Sequence, residues 1–176
     1  MLRLRRYVLC STALLGLSML LLPGCGEGLS ADAEQARQEF LLTARPSGEQ
    51  TVKSIREALT EGKTELDVVL IGRIDGGQMP AFEEGKAAFL FADGIGHGGT
   101  DHDPFACKFC SKNPENYAAT VQFEVDGKVL ATDARNLFGV KERQKVMIKG
   151  KATLDSSDET NLLAIKGTGI FLVPDK

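Results

Sequence analysis

The sequence predicts a mainly β fold with N-terminal helices: a small five-stranded barrel carrying one long inserted loop. Three observations lead there. Apolar residues recur at three- and four-residue spacing before Glu65, and alternate or run continuously in short stretches after it. Five of those later stretches have strand character and are separated by turn-forming residues. One short helical turn falls between the third and the fourth. At 176 residues with 43% hydrophobic side chains, the chain is sized for one main core.

The helical part comes first. Ser30 caps a helix whose opening turn carries Asp32 and Glu34, favourable at the positive end of the helix dipole. Ala33, Phe40, Leu41 and Ala44 give it a thin apolar stripe, and Arg45-Pro46 ends it. A second helix is expected from a cap near Ser47, with Val52, Ile55 and Leu59 on one face and Gly62 as its stop. Both helices read as a spacer that packs one face on the domain beyond. The expected organisation is a leader at 1–24, a tether and helical segment at 25–64, and a barrel domain at 65–176 with an inserted loop at 94–113.

The strands follow. Asp67 to Ile74 is β-branched and apolar on both faces, as in a central strand. Asp75-Gly76-Gly77 is a turn, with Gly76 the first residue there that adopts positive φ at little cost. Ala87 to Phe91 is the second strand, and Ala119 to Val125 alternates as the third. Asp126-Gly127 signals a tight hairpin, with Lys128 to Thr132 as a short return arm. Asp133 caps a helical turn that Gly139 stops. Val146 to Leu154 and Leu162 to Val173 are the last two strands, joined by the polar turn Asp155-Ser156-Ser157-Asp158.

Five main strands with a helix between the third and fourth resemble the OB-fold barrel. The resemblance covers roughly residues 65 to 173. Val-Val-Leu-Ile-Gly-Arg-Ile, Val-Met-Ile-Lys-Gly-Lys-Ala and Gly-Thr-Gly-Ile-Phe-Leu are similar to the V-x-G-x-V strands of OB domains in the anticodon-binding style. An OB face for oligonucleotides would need exposed aromatics and basic residues. Phe89, Phe91 and Phe123 are available, but a barrel interior needs such residues as well, and the core is their expected place.

The N-terminus indicates a compartment. Arg3, Arg5 and Arg6 precede the apolar run Tyr7 to Leu22, which is short for a bilayer span and ends in Leu22-Pro23-Gly24-Cys25. This L-x-G-C ending resembles the lipobox of bacterial lipoproteins. The resemblance implies cleavage behind Gly24, diacylation of Cys25 and an extracytoplasmic protein held on the membrane by its acyl chains. An ordinary secretory signal or an uncleaved anchor is the alternative. The leader holds three of the 21 basic residues and none of the 24 acidic ones, so the remainder carries 18 against 24, about −6. Such a surface repels a phosphate backbone, and 6% aromatics without Trp leave few stacking platforms. Nucleic acid is therefore not an expected partner; the membrane is, and a protein partner is left open.

The most specific signal is His97-Gly-Gly-Thr-Asp-His102-Asp-Pro-Phe-Ala-Cys107-Lys-Phe-Cys110. Both histidines of the chain lie here, together with the two cysteines that stand outside the leader and its cleavage site. Two imidazoles and two thiolates can close one tetrahedral Zn²⁺ site. Copper is the rival ion, because thiolates also suit Cu(I). Gly94, Gly96, Gly98 and Gly99 let the backbone wrap an ion, and Asp101 and Asp103 could orient the imidazoles or replace one of them. The competing reading is a Cys107–Cys110 disulfide or redox dithiol, which an oxidising compartment favours. Four protein ligands leave no open position, so a metal here would be structural, and no nucleophile–base pair is evident. The expectation is a binding or scaffold module rather than an enzyme, with a redox or metal-transfer protein as the alternative.

If Cys25 is the lipidation site, intact-mass analysis will find acyl chains on wild-type Cys25, and Cys25→Ser will carry no lipid and remain unprocessed. A wild-type Cys25 without lipid would remove the anchor.

Overall fold

The computed structural model describes residues 28–93, 103–154 and 162–174. Its centre is a closed barrel of five strands: β1 (Leu66–Ile74), β2 (Ala88–Asp93), β3 (Ala118–Gln122), β6 (Lys145–Leu154) and β7 (Leu163–Leu172). They close in the order β1-β2-β3-β7-β6. All neighbours are antiparallel except β3 and β7, which run parallel from Ala119 opposite Leu163 to Gln122 opposite Lys166. Between β3 and β6 lie a two-stranded hairpin, β4 (Glu124–Val125) and β5 (Lys128–Val129), and the helix α3 (Ala134–Phe138). This is the strand order and helix position of a small OB-like barrel.

The strands earn their places by alternation. Val68, Leu70 and Ile74 of β1 and Val146, Ile148 and Ala152 of β6 point into one core with Ile165 and Ile170 of β7. β1 lies along β6 for most of its length but meets β2 only from Gly72 opposite Asp93 to Ile74 opposite Phe91. Gly72 makes that crossing possible: a Cβ there would stand 2.0 Å from the Ala92 carbonyl oxygen. The rest of each edge is covered by other chain segments, with Gln50 N–H donating to Val69 O (2.8 Å) and Leu90 N–H to Ala81 O (2.8 Å).

Phe89, Phe91 and Phe123 are all core residues, as expected. Phe123 is the hub of an aromatic cluster, with ring centroids 5.2 Å from Phe40 and 4.7 Å from Phe138, distances typical of favourable edge and tilted pairs. The third strand breaks at Phe123 instead of running on to Val125. Its N–H donates to Ala87 O and its carbonyl accepts from Leu130 N–H, which turns the chain into the β4–β5 hairpin. Asp126 and Gly127 take positive φ at that turn, as the Asp-Gly pair implies.

The helices share this core. α1 (Ala31–Phe40) is capped by the Ser30 hydroxyl, which accepts from Ala33 N–H, and buries Ala33, Ala36 and Phe40. α2 (Val52–Thr60) buries Val52, Ile55 and Leu59. Its cap is Thr51 rather than the neighbourhood of Ser47. Thr51 and Ser54 exchange side-chain and backbone hydrogen bonds in a capping box, while Gly48 at φ +89° and the Gln50 contact with β1 keep the preceding residues extended. α3 has Asp133 as cap and Gly139 in the left-handed region as its stop, as the sequence implies. The turn after β1 places positive φ on Gly77 instead of Gly76. The Asp155–Asp158 turn lies outside the described residues. Among the described residues no helix is long and apolar enough to cross a membrane.

One polar side chain ties several of these parts together. Asp93, 1% exposed at the end of β2, accepts Val52 N–H on its Oδ2 at 2.8 Å and so joins the α2 N-terminus to the barrel. Asp93→Ala leaves that buried donor unsatisfied, and chemical denaturation should show a loss of about 1–3 kcal/mol. A variant as stable as wild type would contradict this role.

Candidate functional site

The inserted loop leaves the barrel at Asp93 and rejoins it at Ala118. His97, His102, Asp101 and the four loop glycines lie outside the described residues, as does Cys25. Residues 103–117 fold as a succession of tight turns, each set by a short-range hydrogen bond. The Asp103 carboxylate accepts from Phe105 N–H (3.0 Å) and Ala106 N–H (3.1 Å), capping a turn in which Pro104 has no N–H to satisfy. Cys107 N–H donates to Asp103 O, and Ser111 N–H to Cys107 O. Two single-turn 3₁₀ helices, Cys110–Lys112 and Pro114–Asn116, complete the return. Asp93 N–H then donates to Tyr117 O at 2.7 Å and seals the exit against the end of β2.

Packing holds the loop on the barrel. Phe105 lies on the face of Gly77, where a Cβ would stand 2.7 Å from the ring; Gly77 also sits at φ +64°, so glycine is required twice over. Asp103 faces Arg143 at 3.5 Å, and Arg143 reaches on to buried Asp75 at 3.9 Å. The Arg143 side chain is 69% exposed, so these ion pairs contribute little, and the Phe105 contact carries more of the docking. Asp103, expected as a partner or substitute for an imidazole, has Oδ1 engaged in the turn and Oδ2 3.5 Å from Arg143.

Cys107 and Cys110 are brought together as thiols rather than as a disulfide. They differ sharply. Cys110 is 1% exposed and packed beneath the loop, whereas Cys107 is half-buried at its surface. The Cys107 sulfur accepts from the backbone N–H groups of Cys110 and Phe109 and from the Cys110 thiol, and these donors hold its pKa below the ordinary thiol value. Burial pushes the Cys110 thiol up, and its hydrogen bond to Cys107 adds to that. A third group completes the chain: the Tyr117 phenol donates to Cys110 and is itself pushed up by burial and by this bond. Phe109, between the two cysteines, is 77% exposed at the loop tip.

The arrangement offers two adjacent sulfurs, one set in backbone N–H donors and one beside a phenol. That suits a soft divalent or monovalent cation, and equally a thiolate nucleophile with a buried second thiol. Among the described residues no three His, Cys, Asp or Glu side chains form a group that could hold a metal ion; the two histidines are not among those residues. Tyr117 and Asp93 escape a sequence reading. Neither belongs to a ligand motif, and the nearness of Tyr117 to Cys110 and to Asp93 depends on where the loop rejoins the sheet. No protein-family model matches the chain, and no curated protein matches it either.

In reduced protein without metal, Cys107 should be alkylated at least about tenfold faster than Cys110, because the exposed thiol with the lower pKa supplies more reactive thiolate. Peptide mass spectrometry after brief iodoacetamide treatment measures this. Equal rates would contradict the placement of the two sulfurs.

Proposed function

We propose that this chain is a membrane-tethered extracytoplasmic binding or scaffold module, in which an OB-like barrel carries a zinc-type site of His97, His102, Cys107 and Cys110. The observation that supports it most is the hydrogen-bonded Cys107–Cys110 pair, with backbone N–H groups of residues 109 and 110 directed at the Cys107 sulfur. Such donors stabilise a thiolate, the form that ligates metal. The two sulfurs fit a common ion, and the histidines enter the same loop five and ten residues before Cys107. When bound, the ion would act as a structural cross-link between the two halves of the loop. The lipid on Cys25 would hold the module on the membrane. A binding role has a second support, in a groove of about 380 Å³ on the β2–β3 side lined by Met79, Pro80, Phe82, Leu90, Val121 and Gln122. Strands two and three form the ligand face of OB barrels in general.

One observation favours a second reading, a redox or metal-transfer protein. A half-exposed Cys107 backed by a buried Cys110 is the asymmetry that thiol–disulfide exchange requires, with one sulfur attacking and the other resolving.

Metal content separates the zinc site from a redox dithiol. Protein purified under reducing conditions should hold about one Zn²⁺ per chain, and a chelator should lower its melting temperature and expose both thiols. Cys107→Ser or Cys110→Ser should abolish loading, and His97→Ala or His102→Ala should weaken it less. Negligible metal, together with a Cys107–Cys110 bridge that cycles under mild oxidants, would overturn the zinc site in favour of redox chemistry.

A further inference from the structure

We propose that the α3 end of the barrel is the surface that faces the phospholipid bilayer, so that the module stands with the root of its cysteine loop turned away from the membrane. The inference rests on the tethering part of the reading above and gives the tether a direction. Gly28, Leu29 and Ser30 share a recess of about 600 Å³ with Gly85, Asp133 and Asn136. They are fixed there: Leu29 packs against the core, and the Ser30 hydroxyl accepts from Ala33 N–H at 3.2 Å. Three residues take the chain from Cys25 to Gly28, and that length spans at most about 11 Å. Acyl chains on Cys25 therefore hold the recess within one short tether of the headgroups.

The recess lies at one end of the barrel and the loop is rooted at the other. Gly85 and Lys86 lead directly toward β2, with Lys86 O accepting from Ala134 N–H (3.0 Å) and Ala87 N–H donating to Leu130 O (3.0 Å). The loop leaves β2 at its far end, Asp93, where the α2 N-terminus is also held through Val52. From Ala88 to Asp93 the strand rises about 17 Å. The screening length at physiological salt is about 8 Å, so the surface charge of a bilayer acts on the α3 end and hardly reaches the loop root. The α3 end suits that position. Lys86 pairs with Glu83 and Arg135 with Asp133, so two of its acids meet anionic headgroups already balanced, although the chain as a whole is acidic. A cation or other ligand of the cysteine loop then arrives from the aqueous side.

The chain has no Trp, so a single one can be placed at either end of the lipidated protein. Asn136→Trp reports on the α3 end and Phe109→Trp on the loop, and both positions are exposed. Each protein is reconstituted in vesicles of phosphatidylcholine and phosphatidylglycerol, with and without a nitroxide on the headgroup. The Asn136→Trp protein should lose most of its emission to the nitroxide, and the Phe109→Trp protein little of it. A Gly-Ser segment inserted before Gly28 should restore the Asn136→Trp emission by lengthening the tether. If Asn136→Trp does not melt as wild type does, Ala131→Trp, exposed on the same recess, takes its place. Equal quenching at the two ends, stronger quenching of Phe109→Trp, or quenching at neither would overturn the orientation while the tether stands. If the wild-type protein carries no lipid on Cys25 and does not float with the vesicles, the tether fails and the orientation fails with it.

Discussion

Asp93 is the constraint through which the three parts of this molecule meet. It ends β2, it stands opposite Gly72 of β1, and it is the last described residue before the inserted loop. Its carboxylate holds the first turn of α2 through Val52, and its N–H holds the returning loop through Tyr117. A carboxylate buried to this degree is tolerated only when donors surround it, and the unsatisfied first turn of a helix provides one. The consequence is mechanical. The loop cannot shift at its exit without disturbing the α2 N-terminus, and α2 cannot lift without withdrawing a donor from the barrel rim.

The described part of the inserted segment, residues 103–117, is thereby held at both ends. From Asp103 to Tyr117 each turn hands its hydrogen bonds to the next, with prolines at the two positions where a missing N–H does no harm. Phe105 on Gly77 joins the loop to the turn after β1, and Tyr117 joins it to the end of β2. The described half is docked at both ends before any ligand is considered. A ligand held by residues 103–117 would therefore meet a backbone already fixed at both ends, which reduces the entropy that binding must overcome.

Much of the fold was legible because its signals are local. Runs of strand-forming residues between turn signals placed β1, β6 and β7 to within a residue or two, Asp126-Gly127 placed the hairpin, and Asp133 with Gly139 bounded α3. The errors came where tertiary contacts overrule local preference. The second helix begins at Thr51 because Gln50 is taken up by β1, and the third strand stops at Phe123 because its ring is needed between Phe40 and Phe138. Cys107 and Cys110 could be picked out by spacing alone. Tyr117 could not, because seven residues separate it from Cys110 and only the paired 3₁₀ turns bring the phenol back to the sulfur. The unequal burial of the two cysteines was equally invisible, since it depends on which side of the loop faces the barrel.

The same hydrogen bonds serve metal binding and thiol exchange, so the choice between them has to come from charge. Donors directed at Cys107 favour its thiolate in either case, whereas burial holds Cys110 toward the neutral thiol. A disulfide discharges both sulfurs and leaves no need for a cation. Two adjacent thiolates, by contrast, repel each other, and the Cys107 sulfur already helps to hold the Cys110 thiol up. Two like charges at one partly dehydrated spot repel each other strongly at the reduced dielectric of a protein interior. A divalent cation between the sulfurs relieves that repulsion. The Tyr117 phenol supplies Cys110 with a hydrogen bond and no positive charge, so it does not offset a second thiolate. Burial of Cys110 thus works against a thiolate in either use, and what offsets it, a cation or a disulfide bond, separates the two readings.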